Sequence, residues 1–260
     1  MLDTKATPYS DINKIIVSLS QGISKIFNKD LVGIYLFGSL SYGDFNQESS
    51  DIDMVTILKN PTTELELEKI KELHKQIEEL YPDWAKRIEN SYTPQSMLSS
   101  VLPPGARPYY GEGVFYSQAQ YGNEWIINLY LLYNFGITIA GTEFRDLVHS
   151  IDVKDVQKAC VQDLFKEWEP KLRNPEWLDN SHYQSYLVMN LCRILNTVMN
   201  ATVLSKKKSA VWVKQECPQW KELIQTAEEW RYGVEMKQKD KTLEFLKFVI
   251  EKVKNHEINK

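Results

Sequence analysis

The sequence predicts an α/β domain with a small mixed sheet, followed by an all-helical bundle. In the N-terminal part, short apolar runs with strand character alternate with amphipathic helical segments, an order typical of α/β folds. From Asp152 to the C-terminus the helical periodicity continues with only short breaks. We therefore expect one domain over residues 1–150 and a second over residues 151–260.

The chain begins with a predicted helix and strand. Apolar residues recur at helical spacing from Ser10 to Phe27. The apolar run from Gly33 to Phe37 predicts a short buried strand. Gly38 and Ser39 then predict a sharp turn, because glycine adopts backbone conformations that other residues avoid.

The second predicted strand, from Asp51 to Leu58, begins with two aspartates one residue apart. Side chains of a strand alternate between its two faces. We therefore expect Asp51 and Asp53 on one face, with Ile52 and Met54 in the core.

The remaining N-terminal elements are predicted with uneven clarity. Residues 60–63 predict a turn and a helix cap, and a helical stripe from Leu67 to Leu80 follows. A third strand is expected around residues 85–92. Between Pro94 and Asn123 the pattern is weak, with a loop predicted at 103–108, and residues 125–135 then predict a helix that ends at Gly136.

The C-terminal part carries five segments of helical periodicity separated by short breaks. They lie near residues 152–171, 182–202, 205–216, 219–231 and 239–255.

The Gly-Ser turn and the two aspartates together indicate a particular chemistry. Two carboxylates on one strand face, beside a turn with amides and a hydroxyl, suit a hard divalent cation and a polyphosphate. An Asp-x-Asp pair alone is more often a solvated strand edge. The order, spacing and apolar flanks of this segment make the combination specific.

The segment from Gly33 to Val55 resembles the Gly-Ser, spacer, Asp-x-Asp signature of the nucleotidyltransferase superfamily, the fold of DNA polymerase beta and of kanamycin- and streptomycin-modifying enzymes. The resemblance implies Mg²⁺ held by Asp51 and Asp53, with ATP as co-substrate. It also implies that Gly38, Ser39 and Ser50 bind the phosphates.

The family commonly uses a third carboxylate as metal ligand, general base or both, and Glu89 is the only acid in the predicted third strand. We expect it to face away from the core, opposite in direction to Ile88. The alternative is a surface glutamate paired to Arg87 or Lys86. Asp83 and Glu112 are weaker substitutes, because both occur in turn-like sequence.

The stretch from Leu204 to Val213 and the helix after it resemble the helical domain of the spectinomycin and streptomycin adenylyltransferases. In that family a lysine six positions before the tryptophan reaches the ATP phosphates. Counting back from Trp212 gives Lys206, whose alternative is a solvated basic start of a helix. Arg231 and Tyr232 are further candidates for contacts with the triphosphate.

The chain also departs from that family. A Gly-Glu-Trp motif, whose tryptophan stacks on the drug, is replaced here by Gly-Glu-Gly at residues 111–113. The aromatic wall is therefore missing or is supplied by Phe115, Tyr116 or Tyr121. Glu112 of this motif is a candidate acceptor contact.

The acids that bind cationic drug in that family correspond loosely to Glu176 and Asp179. Trp177 and Tyr186 could line the same acceptor site. Helical aromatic residues are more often part of the core, and this remains the alternative for both.

Composition excludes several classes of protein. The net charge of −4 argues against a nucleic-acid partner. We expect no signal peptide and no membrane span. The three cysteines have no metal-ligand spacing, so we expect buried thiols in a reducing compartment. We therefore expect the protein to be cytoplasmic, and we expect it to be a monomer.

The resemblance thus implies an enzyme that adenylylates a hydroxyl of an aminoglycoside or aminocyclitol, a cationic small molecule, and so confers antibiotic resistance. Two alternatives remain open. One is the same chemistry on another acceptor, such as a lincosamide or a protein hydroxyl. The other is a non-catalytic nucleotide-binding module of the same fold.

Overall fold

The computed structural model describes residues 5–98 and 102–259. The chain divides into two compact units. One comprises Met1–Phe45 and Ser50–Ile151, and the other comprises Asn46–Ser49 and Asp152–Lys260. The short segment 46–49, which precedes the Asp-x-Asp strand in sequence, thus belongs with the helical unit, an assignment that no local sequence pattern indicates.

The first unit is built on a mixed six-stranded sheet of order β5-β4-β3-β2-β1-β6. Its strands are β1 (Leu31–Phe37), β2 (Ile52–Leu58), β3 (Ile88–Pro94), β4 (Ala106–Gly111), β5 (Val114–Gln120) and β6 (Ile137–Gly141). Strands β2 and β3 are parallel, and the other neighbouring pairs are antiparallel. The predicted α/β class with a small mixed sheet is confirmed.

The described residues of this unit form four α-helices: α1 (Ser10–Phe27), the single turn α2 (Ser39–Tyr42), α3 (Glu64–Leu80) and α4 (Glu124–Phe135). Helix α3 begins with a complete capping box between Thr63 and Glu66. Apolar residues of α1 and α3 share a core with β1, β2 and β3. Ile52, Met54 and Ile88 lie in this core, as their alternation in the strands predicts.

The region between α3 and α4 differs from the expectation. Pro82–Arg87 forms a 3-10 helix, so the third strand begins at Ile88 rather than near residue 85. The region between Pro94 and Asn123, where the sequence pattern is weak, contains the hairpin β4–β5. The first strand of this hairpin overlaps the loop predicted at residues 103–108. Its two turn residues, Glu112 and Gly113, both have positive φ (55° and 75°), as the tight turn of a twisted hairpin requires.

The second unit is helical, as predicted. It contains α5 (Val153–Asp163), α6 (Ser181–Asn200), α7 (Lys206–Glu216), α8 (Lys221–Glu229) and α9 (Lys239–Lys254). Helix α6 is the central element, because it packs against each of the other four. Its long buried face provides the apolar surface that holds this unit together.

All three cysteines are buried and none forms a disulfide. Burial raises the pKa of the Cys160 thiol to about 12, so this thiol stays protonated and unreactive at neutral pH. None of the helices in the described part of the chain is long and apolar enough to cross a membrane.

Candidate functional site

The candidate site lies on the sheet face opposite the core formed by α1 and α3. Phe37 of β1 lies opposite Asp53 of β2, and Asp53 in turn lies opposite Glu89 of the parallel strand β3. Residues paired across neighbouring strands present their side chains on the same face. The fold therefore sets Asp53 and Glu89 side by side, both half-buried, although 35 residues separate them in sequence.

Gly38 follows Phe37 directly and adopts a backbone conformation (φ 65°, ψ −153°) available almost only to glycine. A β-carbon built at this position would overlap Oδ2 of Asp53 and lie 2.8 Å from its Cγ. The backbone of the turn and the aspartate carboxylate are thus in direct contact.

The turn after Gly38 is held by its own backbone and hydroxyl groups. The amide and the hydroxyl of Ser41 both donate to the Gly38 carbonyl, at 3.0 and 2.9 Å. The amide of Asp44 donates to the Ser39 carbonyl at 3.1 Å. Ser39 is half-buried at the start of α2, one residue from the contact between Gly38 and Asp53.

Asp51 and Ser50, just before β2, are bound by Arg87, which the sequence indicates only as a partner of Glu89. Arg87 Nε lies 3.9 Å from Asp51 Oδ1 and donates to the Ser50 carbonyl at 3.1 Å. A second guanidinium N–H of Arg87 donates to the same carbonyl. The guanidinium also lies over the ring of Trp84, 4.1 Å from its centroid.

Arg87 reaches Asp51 because β2 and β3 are parallel with Ile52 opposite Ile88, which sets the preceding residues of both strands side by side. No local sequence signal identifies this contact, because it depends on the parallel pairing of the two strands.

The donor set of this site fits Mg²⁺. Asp51, Asp53 and Glu89 offer only carboxylate oxygens, and Mg²⁺ binds through one or two carboxylates together with substrate phosphates. Among the described residues, no group of three or more His, Cys, Asp or Glu side chains converges so as to hold a metal ion. The metal site therefore stays a prediction that rests on the two aspartates, with Glu89 beside Asp53 in the sheet.

The structure separates the three aromatic residues considered for the acceptor wall. Phe115 lies on the core side, with its ring 6.5 Å from that of His74. Tyr121 is buried beneath the Arg107 guanidinium, 4.2 Å from the ring centroid. Tyr116 is 48% exposed, and its ring stacks on that of Tyr109.

Glu112 is exposed in the hairpin turn that follows β4. This turn lies at the end of the sheet where β3 begins, since a β-carbon at Gly113 would lie 3.3 Å from Lys86 Cγ. Glu112 and Glu89 are thus at the same end of the sheet.

In the helical unit, Lys206 is the first residue of α7, whose N-cap is Ser205. The Lys206 ammonium lies 4.0 Å from the ring centroid of Tyr186. Lys206 is half-buried, whereas Lys207 and Lys208 are exposed. This difference singles out Lys206 within the basic run.

Arg231 and Tyr232 both contact Glu48, from the segment that joins the helical unit. Arg231 Nη1 lies 3.1 Å from the Glu48 carboxylate, and the Tyr232 amide donates to the Glu48 carbonyl at 3.2 Å. The Tyr232 ring lies 5.3 Å from that of His182. Arg231 thus already has a carboxylate partner.

The candidate acceptor residues of the helical unit are engaged with cations of the same chain. Lys171 Nζ lies 4.9 Å from the ring centroid of Trp177 and 4.4 Å from that of Trp168. Asp179 accepts a hydrogen bond from Lys239 at 2.6 Å. These contacts partly satisfy the groups proposed to bind a cationic acceptor, whereas Glu176 is exposed without a described ion pair.

Arg193, which no sequence motif indicates, is buried on α6. Its Nη2 donates to Asn190 Oδ1 at 2.8 Å, and its Nε has no hydrogen-bond partner among the described residues. Burial of a guanidinium with incomplete hydrogen bonding is costly, which makes Arg193 a further candidate for contact with an anion.

Two family models match the chain. Residues 16–101 match a nucleotidyltransferase domain, and residues 146–256 match the C-terminal domain of aminoglycoside adenylyltransferases. No curated protein matches the sequence significantly.

Among solved structures, the chain is similar to spectinomycin adenyltransferase AAD(9) from Enterococcus faecialis, solved with ATP and spectinomycin. The TM-score is 0.76 at 20% sequence identity, over 93% of this chain and 99% of that chain. This likeness shows the fold. A toxin-antitoxin structure with AMP-PNP is 15% identical over 59% of this chain and 91% of that chain, and its TM-score of 0.26 is too low to inform the fold.

Proposed function

We propose that the chain is an enzyme that transfers AMP from ATP to a hydroxyl of an aminocyclitol or aminoglycoside antibiotic of the spectinomycin or streptomycin type. The matches of its two parts to a nucleotidyltransferase domain and to the C-terminal domain of aminoglycoside adenylyltransferases support this proposal. Such a transfer would confer resistance. The observation that carries the proposal is the row of Asp53 and Glu89 on one sheet face, with Gly38 in contact with Asp53.

Asp51 and Asp53 are proposed to hold Mg²⁺, with Glu89 as a third ligand or as the base. The ion supplies charge stabilisation for the phosphates that react. The contact between Gly38 and Asp53 limits the positions that the Asp53 carboxylate can take. Arg87 orients the backbone at Ser50 through its hydrogen bonds to the Ser50 carbonyl.

The reaction is an in-line displacement at the α-phosphorus. The acceptor hydroxyl oxygen forms the new bond to phosphorus as the bond to pyrophosphate breaks. Glu89 is proposed to accept the proton of that hydroxyl. A positioned carboxylate commonly acts as such a general base. Gly38, Ser39 and Ser50 are proposed to bind phosphate oxygens.

The helical unit, residues 151–260, is proposed as the substrate-binding domain. Lys206 is the proposed phosphate contact, with Arg231 and Tyr232 as further nucleotide contacts. Trp177, Asp179 and Tyr186 are proposed to bind the acceptor. Glu112 is also a proposed acceptor contact. Since Trp177 and Asp179 already contact Lys171 and Lys239, a cationic acceptor would have to compete with these lysines.

The test is a direct assay of transfer. Purified protein is incubated with each nucleoside triphosphate, Mg²⁺ and a panel of aminocyclitols, aminoglycosides and lincosamides. Release of pyrophosphate together with an acceptor heavier by one nucleotide supports the proposal, and Asp53→Asn serves as the inactive control. Transfer to a lincosamide alone would overturn the acceptor class and keep the chemistry. No transfer to any acceptor would overturn the proposal.

A further inference from the structure

Tyr109 and Gly111 of β4 lie next to Glu89 on the candidate face. In the antiparallel ladder of β3 and β4, Ser91 pairs with Tyr109, and Asn90 pairs with Tyr110. The next pair in the same register is Glu89 with Gly111, the last residue of β4. The residue of β4 opposite Glu89 is therefore a glycine, which has no side chain.

The Tyr109 ring occupies the space that a side chain at position 111 would take. A β-carbon built on Gly111 would lie 2.6 Å from Tyr109 Oη, 2.7 Å from Cε1 and 2.8 Å from Cζ. The ring thus lies along the strand towards the hairpin turn, with its hydroxyl end over Gly111. Gly111 does not have a positive φ, so its role here is to leave room rather than to permit a special backbone conformation.

This position brings the Tyr109 hydroxyl within reach of the Glu89 carboxylate. β-Carbons of residues directly opposite each other in an antiparallel pair are about 4.5–5.5 Å apart. The hydroxyl lies 2.6 Å from the position of a β-carbon at Gly111, so it is within about 8 Å of the Glu89 β-carbon. A glutamate side chain spans much of that distance.

Two contacts fix the direction of the Tyr109 ring. Tyr116 lies opposite Tyr109 on β5, and their rings stack with centroids 6.3 Å apart and an interplanar angle of 29°. The guanidinium of Arg107 lies 5.5 Å from the centroid of the Tyr109 ring. The ring is therefore held by neighbours on its own strand and on the next one.

We propose that Tyr109 is a positioning residue, whose hydroxyl donates a hydrogen bond to the Glu89 carboxylate and holds it towards the acceptor hydroxyl. This inference rests on the proposed function, because only there does Glu89 act as the base. Gly111 is part of the same device, since any side chain at position 111 displaces the tyrosine.

Turnover tests the role in catalysis. Tyr109→Phe should lower kcat about 10–100-fold, the loss expected for one hydrogen bond to a charged group, with the KM for ATP unchanged. Gly111→Ala should lower kcat similarly, because the new methyl group pushes the ring aside. In a Tyr109→Ala background, however, Gly111→Ala should cost nothing further.

The control is Tyr81→Phe. Tyr81 lies at the end of α3, and the change removes its hydroxyl and the hydrogen bond between that hydroxyl and Ser18 of α1. It should keep normal turnover. Normal kcat in Tyr109→Phe, or an equal further loss from Gly111→Ala in the Tyr109→Ala background, would overturn the positioning role.

A stability measurement separates this inference from the proposed function. The urea midpoints of Tyr109→Phe, Glu89→Ala and the double variant form a cycle that needs no substrate. A non-additive result supports the contact between the two residues, and an additive result overturns it. Coupling in stability without AMP transfer by the wild type would refute the proposed function and leave the contact established.

Discussion

The carboxylate of Asp53 lies directly against the α-carbon of Gly38, in the space that a side chain at position 38 would fill. The glycine ends β1 and the aspartate lies near the start of β2, so their contact depends on the antiparallel pairing of Phe37 with Asp53. The Gly-Ser turn and the Asp-x-Asp motif, which are separate in sequence, are therefore one structural feature.

We expect Gly38→Ala to damage both stability and activity. The backbone conformation at this position costs about 1–3 kcal/mol for a residue with a β-carbon. The overlap with Asp53 Oδ2 should also displace the carboxylate, and a shift of about 1 Å at a reacting centre can lower the rate about 10²-fold. Urea unfolding and turnover measure the two effects.

Gly43→Ala is the matched control for this substitution. Gly43 also has a positive φ (81°), but a β-carbon there would meet nothing within 4 Å. It should lose about 1–2 kcal/mol of stability and keep its turnover. Equal activity of the two variants would show that the contact between Gly38 and Asp53 has no part in catalysis.

Asp51→Asn and Asp53→Asn should each abolish transfer and leave the fold intact. Each change removes a charged ligand of the proposed metal site with little change in volume. Turnover and far-UV circular dichroism are the measurements, with Asp11→Asn, an exposed acid of α1, as the control. Near-normal turnover in either variant would show that the metal assignment is wrong.

Glu89→Gln should bind ATP and acceptor while turning over about 10²–10⁴-fold more slowly. The amide preserves size and some hydrogen bonding but cannot accept the proton of the hydroxyl. Calorimetry of binding and a transfer assay separate the two effects. Glu112→Gln is the comparison, because Glu112 is a further acid at this end of the sheet and lies outside the proposed metal site.

Three outcomes for Glu89→Gln are informative. Loss of nucleotide binding would identify Glu89 chiefly as a third metal ligand. Normal turnover would make its role structural. A large loss in Glu112→Gln instead would move the base to the hairpin turn.

Lys206→Ala should raise the ATP concentration needed for half-maximal turnover more than it raises the acceptor concentration needed. A charged hydrogen bond is worth about 1.5–3 kcal/mol, which corresponds to about a 10–100-fold change in the ATP titration. Lys207→Ala removes the neighbouring, exposed ammonium and should have little effect. If the two variants have the same ATP titration, Lys206 does not contact the phosphates and is a solvated basic residue at the start of the helix.

The buried His74 should make stability depend on pH. Burial lowers its pKa to about 3 in the folded protein, whereas the unfolded chain binds the proton with an ordinary pKa of about 6.5. The unfolded state therefore holds more protons below pH 6.5. The contribution of His74 to the free energy of unfolding is therefore fully present above pH 6.5. It is lost, at up to about 1.4 kcal/mol per pH unit, as the pH falls towards 3.

His74→Gln removes this titration, so its free energy of unfolding should change less between pH 6.5 and 5 than that of the wild type. Urea unfolding at the two pH values measures the difference. Parallel pH profiles for wild type and His74→Gln would contradict the assignment.

The elements predicted from the sequence alone are those whose pattern lies within consecutive residues. The helical stripes of α1 and α3, the apolar run of β1 and the alternation of Asp51, Ile52 and Asp53 specify each element and its buried face locally. The same holds for the helices of the second unit. The two-part fold class, the Gly-Ser turn and the candidate carboxylates follow from these patterns.

Tertiary structure decided how these elements pair. Glu89 lies beside Asp53, Arg87 reaches Asp51 and Tyr109 lies over Gly111 because of strand registers, which join residues far apart in sequence. The hairpin β4–β5 is short, and its alternation is masked by tyrosines on both faces. Register and partner depend on burial and hydrogen bonding across the whole sheet, so no window of sequence contains them.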